Sequence, residues 1–147
     1  MKKLSILFLS VLTLGLAVTS CSSDDDENNA SIEGKWTPVK MGSIVDGKEL
    51  LVAIPNDGKC ENDIIEYTAD GKFSDTSYEF YNDKCNASTD KGTWTLKDKV
   101  LTTTYDGETD VYTEEVLEIN NSSLKLKTTE KIDDNNTMVL ITLYERK

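Results

Sequence analysis

Apolar residues recur at every second position through much of this chain, and that period admits few structures. Trp94 and Leu96 stand between Thr93, Thr95 and Lys97; Leu117 and Ile119 flank Glu118; Leu124 and Leu126 are set off by Lys125 and Lys127. Side chains alternate across a strand, so each stretch has one apolar and one wet face, which is the antiparallel pattern. Turn-forming breaks fall at Asp70-Gly71, Asp98-Lys99, Asp106-Gly107, Asn120-Asn121 and Asp133 to Asn136. No segment beyond the N-terminal leader holds a helical period.

Eight strands follow from this reading, at Gly34 to Gly42, Cys60 to Thr68, Lys72 to Tyr81, Lys91 to Lys97, Lys99 to Tyr105, Asp110 to Ile119, Ser123 to Lys131 and Thr137 to Arg146. Eight sequential strands joined mostly by short turns predict an all-β fold, a single antiparallel up-and-down barrel that leaves no unpaired edge. An open sandwich is the rival arrangement. In the barrel, the turns at Ala69 to Gly71, Asp98 and Asn120 to Ser122 share one end with the start of the first strand. Gly42 to Lys59 and Asn82 to Asp90 become long loops around the opposite mouth, and within the first Lys48 to Ile54 is a further strand, a plug filling the barrel, or a lid.

The leader sets a different constraint. Lys2 and Lys3 precede an apolar stretch from Leu4 to Val18, and small residues lead to Cys21. At about 15 residues the stretch is shorter than the roughly 20 needed to cross a bilayer, so a cleaved secretory signal over residues 1–20 is the better reading than a membrane helix. Val18-Thr19-Ser20-Cys21 resembles the lipobox of bacterial lipoproteins, which implies acylation of Cys21 and a membrane anchor made by lipid alone. Ser22 to Glu27 is acidic and, with the residues up to Ser31, too polar to fold; residues 21–31 read as a flexible tether reaching about 30 Å when extended. Ser22 to Glu27 also resembles the acidic export signal that sends some Gram-negative lipoproteins to the outer face of the outer membrane. Display at the cell surface is therefore expected, with the periplasmic leaflet as the alternative.

Charge narrows the partners. The chain carries 27 acidic and 16 basic residues, a net charge of −11. It has no basic footprint for nucleic acid, and the domain itself is repelled by anionic headgroups. With Cys21 committed to lipid, Cys60 and Cys85 form an even pair in an oxidising compartment, and a disulfide is the default. A two-cysteine metal or redox site is the other possibility; the absence of His and of Cys-x-x-Cys spacing counts against it.

Chemistry finds little support. Without His there is no histidine-based triad, and neither Gly-x-Ser-x-Gly nor a phosphate loop is present. Glu114-Glu115 and Asp133-Asp134 are acidic pairs, but neighbours on a strand point to opposite faces, and both pairs read as solvated surface. No catalytic residue, metal site or cofactor is expected.

Residues 32–147 form one domain with a recognisable sequence pattern. Gly34-Lys35-Trp36, a Cys, an Asp-Gly turn followed by Lys72-Phe73, a second Cys and Gly92-Thr93-Trp94 together resemble the lipocalin-like domain of small bacterial surface lipoproteins. The resemblance implies a calycin-type barrel in which Trp36 caps the closed end and Arg146, near the end of the last strand, packs across it. The interior is then lined by Trp94, Leu96, Leu101, Thr103, Tyr105, Leu117, Ile119, Leu124, Leu126 and Leu140, with Leu50, Leu51 and Ile54 as a lid on the mouth. The function expected is sequestration of a small apolar or amphipathic ligand. The alternative is a barrel filled by its own side chains, serving as a protein-interaction or accessory subunit of an envelope complex.

Overall fold

The computed structural model describes residues 30–56, 58–133 and 136–147. The leader, Cys21 and the acidic segment through residue 29 lie outside the described residues, as does Asp134. Within them the strands are β1 (Gly34–Val45), β2 (Lys48–Ala53), β3 (Ile64–Tyr67), β4 (Lys72–Tyr81), β5 (Lys84–Lys97), β6 (Val100–Tyr105), β7 (Tyr112–Ile119), β8 (Ser123–Lys131) and β9 (Thr137–Arg146).

From β3 to β9 each strand pairs antiparallel with the next, and β9 pairs with β1 to close the sheet. The β1–β9 pairing closes the barrel and excludes the sandwich. β2 and β3 lie in succession along one side of β1: Lys48–Ala53 pairs with its mouth-side half, Ile64–Tyr67 with Gly34, Lys35 and Trp36. They are two pieces of one stave, so the result is a closed eight-stranded antiparallel barrel. Residues 55–56 and 58–63 lie between those pieces, and the described part of this segment is fastened to the β4–β5 hairpin. The Cys60–Cys85 disulfide ties them with a Cα separation of 5.5 Å, the Tyr78 amide donates to Asp63 at 2.8 Å, and Lys59 sits 4.9 Å over the Phe80 ring.

Of the two segments expected around the mouth, Asn82 to Asp90 is a tight turn and β-strand, not a loop, while Lys48 to Ile54, for which a further strand is one reading, is a strand over Lys48–Ala53. Asn82-Asp83 is a two-residue turn with both φ values positive (52° and 56°), so β4 and β5 run together as far as Tyr81 and Lys84 and leave no Asn82 to Asp90 loop. The same geometry at Asp46-Gly47 (50° and 75°) folds Gly42 to Ala53 into the β1–β2 hairpin. Asp-Gly between apolar residues is a strong hairpin signal, and it was legible there.

That hairpin also moves the expected lid. Leu124 and Leu126 are buried inside, so Lys125 points outward; its ammonium meets Glu49 of β2 at 3.1 Å and Glu118 at 3.6 Å. β2 therefore bends across the outer side of β9 toward β8. Ile141, which faces outward there, is fully buried. Leu50 is 56% exposed and Leu51 half-buried on this outer strand, while Ile54 borders a lateral hollow of about 520 Å³ beside Pro38 and Phe80. None of the three covers the mouth.

Candidate functional site: the barrel interior

The inner face follows from the registers, since residues directly opposite in neighbouring strands share a face. At the closed end Trp36 is fully buried, and its indole N–H donates to the Ile32 carbonyl at 2.6 Å. The Arg146 guanidinium lies 4.1 Å from the Trp36 ring centre. It donates to three backbone carbonyls, Asn121 at 2.9 Å, Glu33 at 2.7 Å and Ser31 at 2.8 Å. Gly34 is required beneath it: its φ is +121°, and a Cβ would collide with the guanidinium. Above this pair Leu101, Val116, Leu124 and Leu126 fill the barrel.

A β-bulge decides what comes next. In the β7–β8 register Val116 faces Leu126 and Glu118 faces Lys125, leaving Leu117 as the extra residue. Strict alternation from Ile119 puts Leu117 and Glu115 inside. The bulge instead turns Val116 and Glu114 inward, so Leu117 does not line the interior, and only Glu115, ion-paired with Lys127, belongs to the outer face. Leu96 shares the inner face with Leu101 but lies at its rim, 39% exposed.

Toward the mouth the interior opens into a cavity of about 560 Å³. Five of its lining residues are aromatic, set among threonines and carboxyls. Tyr67 lies 6.2 Å from Phe73 and 5.5 Å from Trp94, Phe73 5.0 Å from Tyr105, and Tyr105 5.7 Å from Tyr112, with Tyr144 on the facing wall. Trp94 supports this wall from the closed side, its indole N–H donating to the Thr68 carbonyl at 3.1 Å. Of the residues read as interior, Tyr105 therefore borders the cavity, Trp94 supports it and Leu101 lies in the packed half.

The cavity also holds carboxyls that the alternation pattern did not single out. Asp75 accepts from the Tyr105 hydroxyl at 3.3 Å, and Glu114 accepts from Thr128 at 3.0 Å. Burial raises the pKa of both, partly opposed by those hydrogen bonds. The phenols respond in kind: burial, reinforced by Asp75, pushes Tyr105 up to about 12, and burial raises Tyr67 and Tyr144 as well. Asp75 could have been found from the sequence, because it is two residues beyond Phe73. Glu114 could not, because the bulge hides its face. Among the described residues, no group of three or more His, Cys, Asp or Glu is placed to hold a metal ion.

The lipocalin-like domain model matches residues 32–126, and the chain belongs to that family. The lipocalin-like fold typically binds small hydrophobic ligands and is generally non-catalytic. An uncharacterized protein from Bacteroides eggerthii is similar in structure, with 13% identity, 80% of this chain and 100% of that one covered, and a TM-score of 0.52. A lipocalin-like protein from Bacteroides uniformis shares 18% identity over 78% and 97% of the two chains, with a TM-score of 0.51. Lobster apocrustacyanin A1 shares 15% identity over 78% of this chain and 60% of its own, with a TM-score of 0.50. No curated protein matches the chain.

Proposed function

We propose that this protein is an envelope lipoprotein that takes a small apolar or amphipathic molecule into the mouth half of its barrel and performs no chemistry on it. The observation that carries this reading is the cavity of about 560 Å³ with five aromatic residues in its lining, within the range of ligand pockets. Apolar burial would drive uptake, and the open mouth gives access. The test is fluorescence of Nile red, a neutral apolar probe, titrated into the full chain. Saturable enhancement that Tyr105→Ala weakens supports the reading; no enhancement overturns it.

The leader and Cys21 support anchoring by lipid, and the acidic Ser22 to Glu27 supports display on the outer face of the outer membrane. Cys21→Ala should release the protein from membranes. Protease added to intact cells should degrade the domain, whereas protection would place it on the periplasmic leaflet. Ile44, Val45, Leu50 and Val52, exposed on the β1–β2 hairpin, favour a second reading as an accessory subunit of an envelope complex. That reading predicts an envelope protein that copurifies and is lost on Leu50→Glu, with Nile red uptake unaffected.

A further inference from the structure

Inward-facing acids gather in the mouth half. The β4–β5 register sets Asp75 directly opposite Asp90, a like-charge pair that is destabilising by itself. Glu114 and Glu130 point into the same space, and among the described residues none that lines the cavity is Lys or Arg. An apolar or anionic ligand would leave these charges facing one another without compensation.

A second observation at the same place concerns Tyr67. The residue is 1% exposed, it lines the cavity, and its hydroxyl has no hydrogen-bond partner among the described residues. A buried hydroxyl left unsatisfied carries its full desolvation cost. Five aromatic residues line the same space, and aromatic rings are groups with which proteins hold organic cations. One ligand chemistry answers all three features: an ammonium supplies positive charge for the carboxylates, an N–H for the Tyr67 oxygen, and a cation for the rings.

We propose that the ligand is an organic amine, protonated at neutral pH, whose ammonium is held by Asp75, Glu114 and the Tyr67 hydroxyl while its apolar body lies against Phe73 and Tyr105. This rests on the barrel being a ligand site and adds the class of head group.

The experiment compares 4-phenylbutylamine, 4-phenylbutanol and 4-phenylbutyrate, which share a body and differ in charge. Each competes with Nile red on the full chain held in phosphatidylcholine nanodiscs. The amine should bind at least tenfold more tightly than the alcohol, with the carboxylate weakest. In the Asp75→Asn/Glu114→Gln variant the amine-to-alcohol ratio should collapse toward one. In a Glu33→Gln/Glu145→Gln variant, which removes two charges away from the cavity, the ratio should persist. Equal binding of the three, preference for the carboxylate, or a ratio that falls as far in the outer variant overturns the amine proposal and leaves the binding reading intact. Failure of Nile red and of all three competitors overturns both.

Discussion

Trp36, Leu101 and Leu124 at the closed end leave no surface to solvent, whereas Asp75, Tyr105 and Glu114 border an open cavity further along the same barrel. The closed half satisfies its polar groups with its own backbone: the Trp36 indole and the Arg146 guanidinium donate to four carbonyls. The mouth half does the reverse. It collects carboxyls whose charged form burial disfavours and keeps a hydroxyl without a partner among the described residues. The contrast separates two kinds of cost: a change at the closed end should be felt in stability, a change at the mouth in what binds.

The largest effect should come from Trp36→Ala. Removing a fully buried indole costs about 3–5 kcal/mol, read as a lower midpoint in urea denaturation. Tyr112, 47% exposed at the mouth, should cost far less when cut to Ala. Equal losses at the two positions would break the comparison.

Next comes the disulfide, which belongs to the wall beside the mouth. It joins residues 25 apart, and opening it by Cys60→Ser with Cys85→Ser should cost roughly 3.5 kcal/mol in the chain-entropy account. The loss should be local in hydrogen exchange. The Tyr78 amide, which donates to Asp63 of the fastened segment, should lose protection while the Arg146 amide keeps it. Uniform loss would mean that both halves unfold as one unit.

Arg146→Lys is a finer probe of the closed end. Lys keeps the charge but cannot reach three carbonyls at once or stack its plane on Trp36, so a loss of about 1–2 kcal/mol is expected. No fall in the urea midpoint would show that the cap owes its stability to charge alone.

The same division explains what could be read from the chain. The closed half was legible because it obeys alternation: Leu124 and Leu126 lie inside as the period requires, and Trp36 and Arg146 meet as the lipocalin resemblance implies. The mouth half departs from regular rules at two places. Asn82-Asp83 makes a tight turn with no Gly to announce it, and the bulge at Leu117 exchanges the faces of Glu114 and Glu115. A bulge is fixed by pairing with the partner strand, and one strand's sequence does not display it.

Glu114→Gln should give the smallest change, and one of opposite sign. Desolvation raises the folded-state pKa of Glu114 above its unfolded value, with the Thr128 hydrogen bond only partly opposing it. The folded state then holds its proton to higher pH than the unfolded chain. Stability is therefore full below the ordinary glutamate value of about 4.3 and declines as pH rises through the raised one. Glutamine keeps an acceptor for Thr128 and has no charge to desolvate, so the variant should be at least as stable as the parent at pH 7. Its urea midpoint should also vary less above pH 4. A steeper loss with pH in the variant would mean that the Glu114 carboxylate stabilises the empty barrel. The mouth would then differ from the closed end in exposure, and not in the cost of its charges.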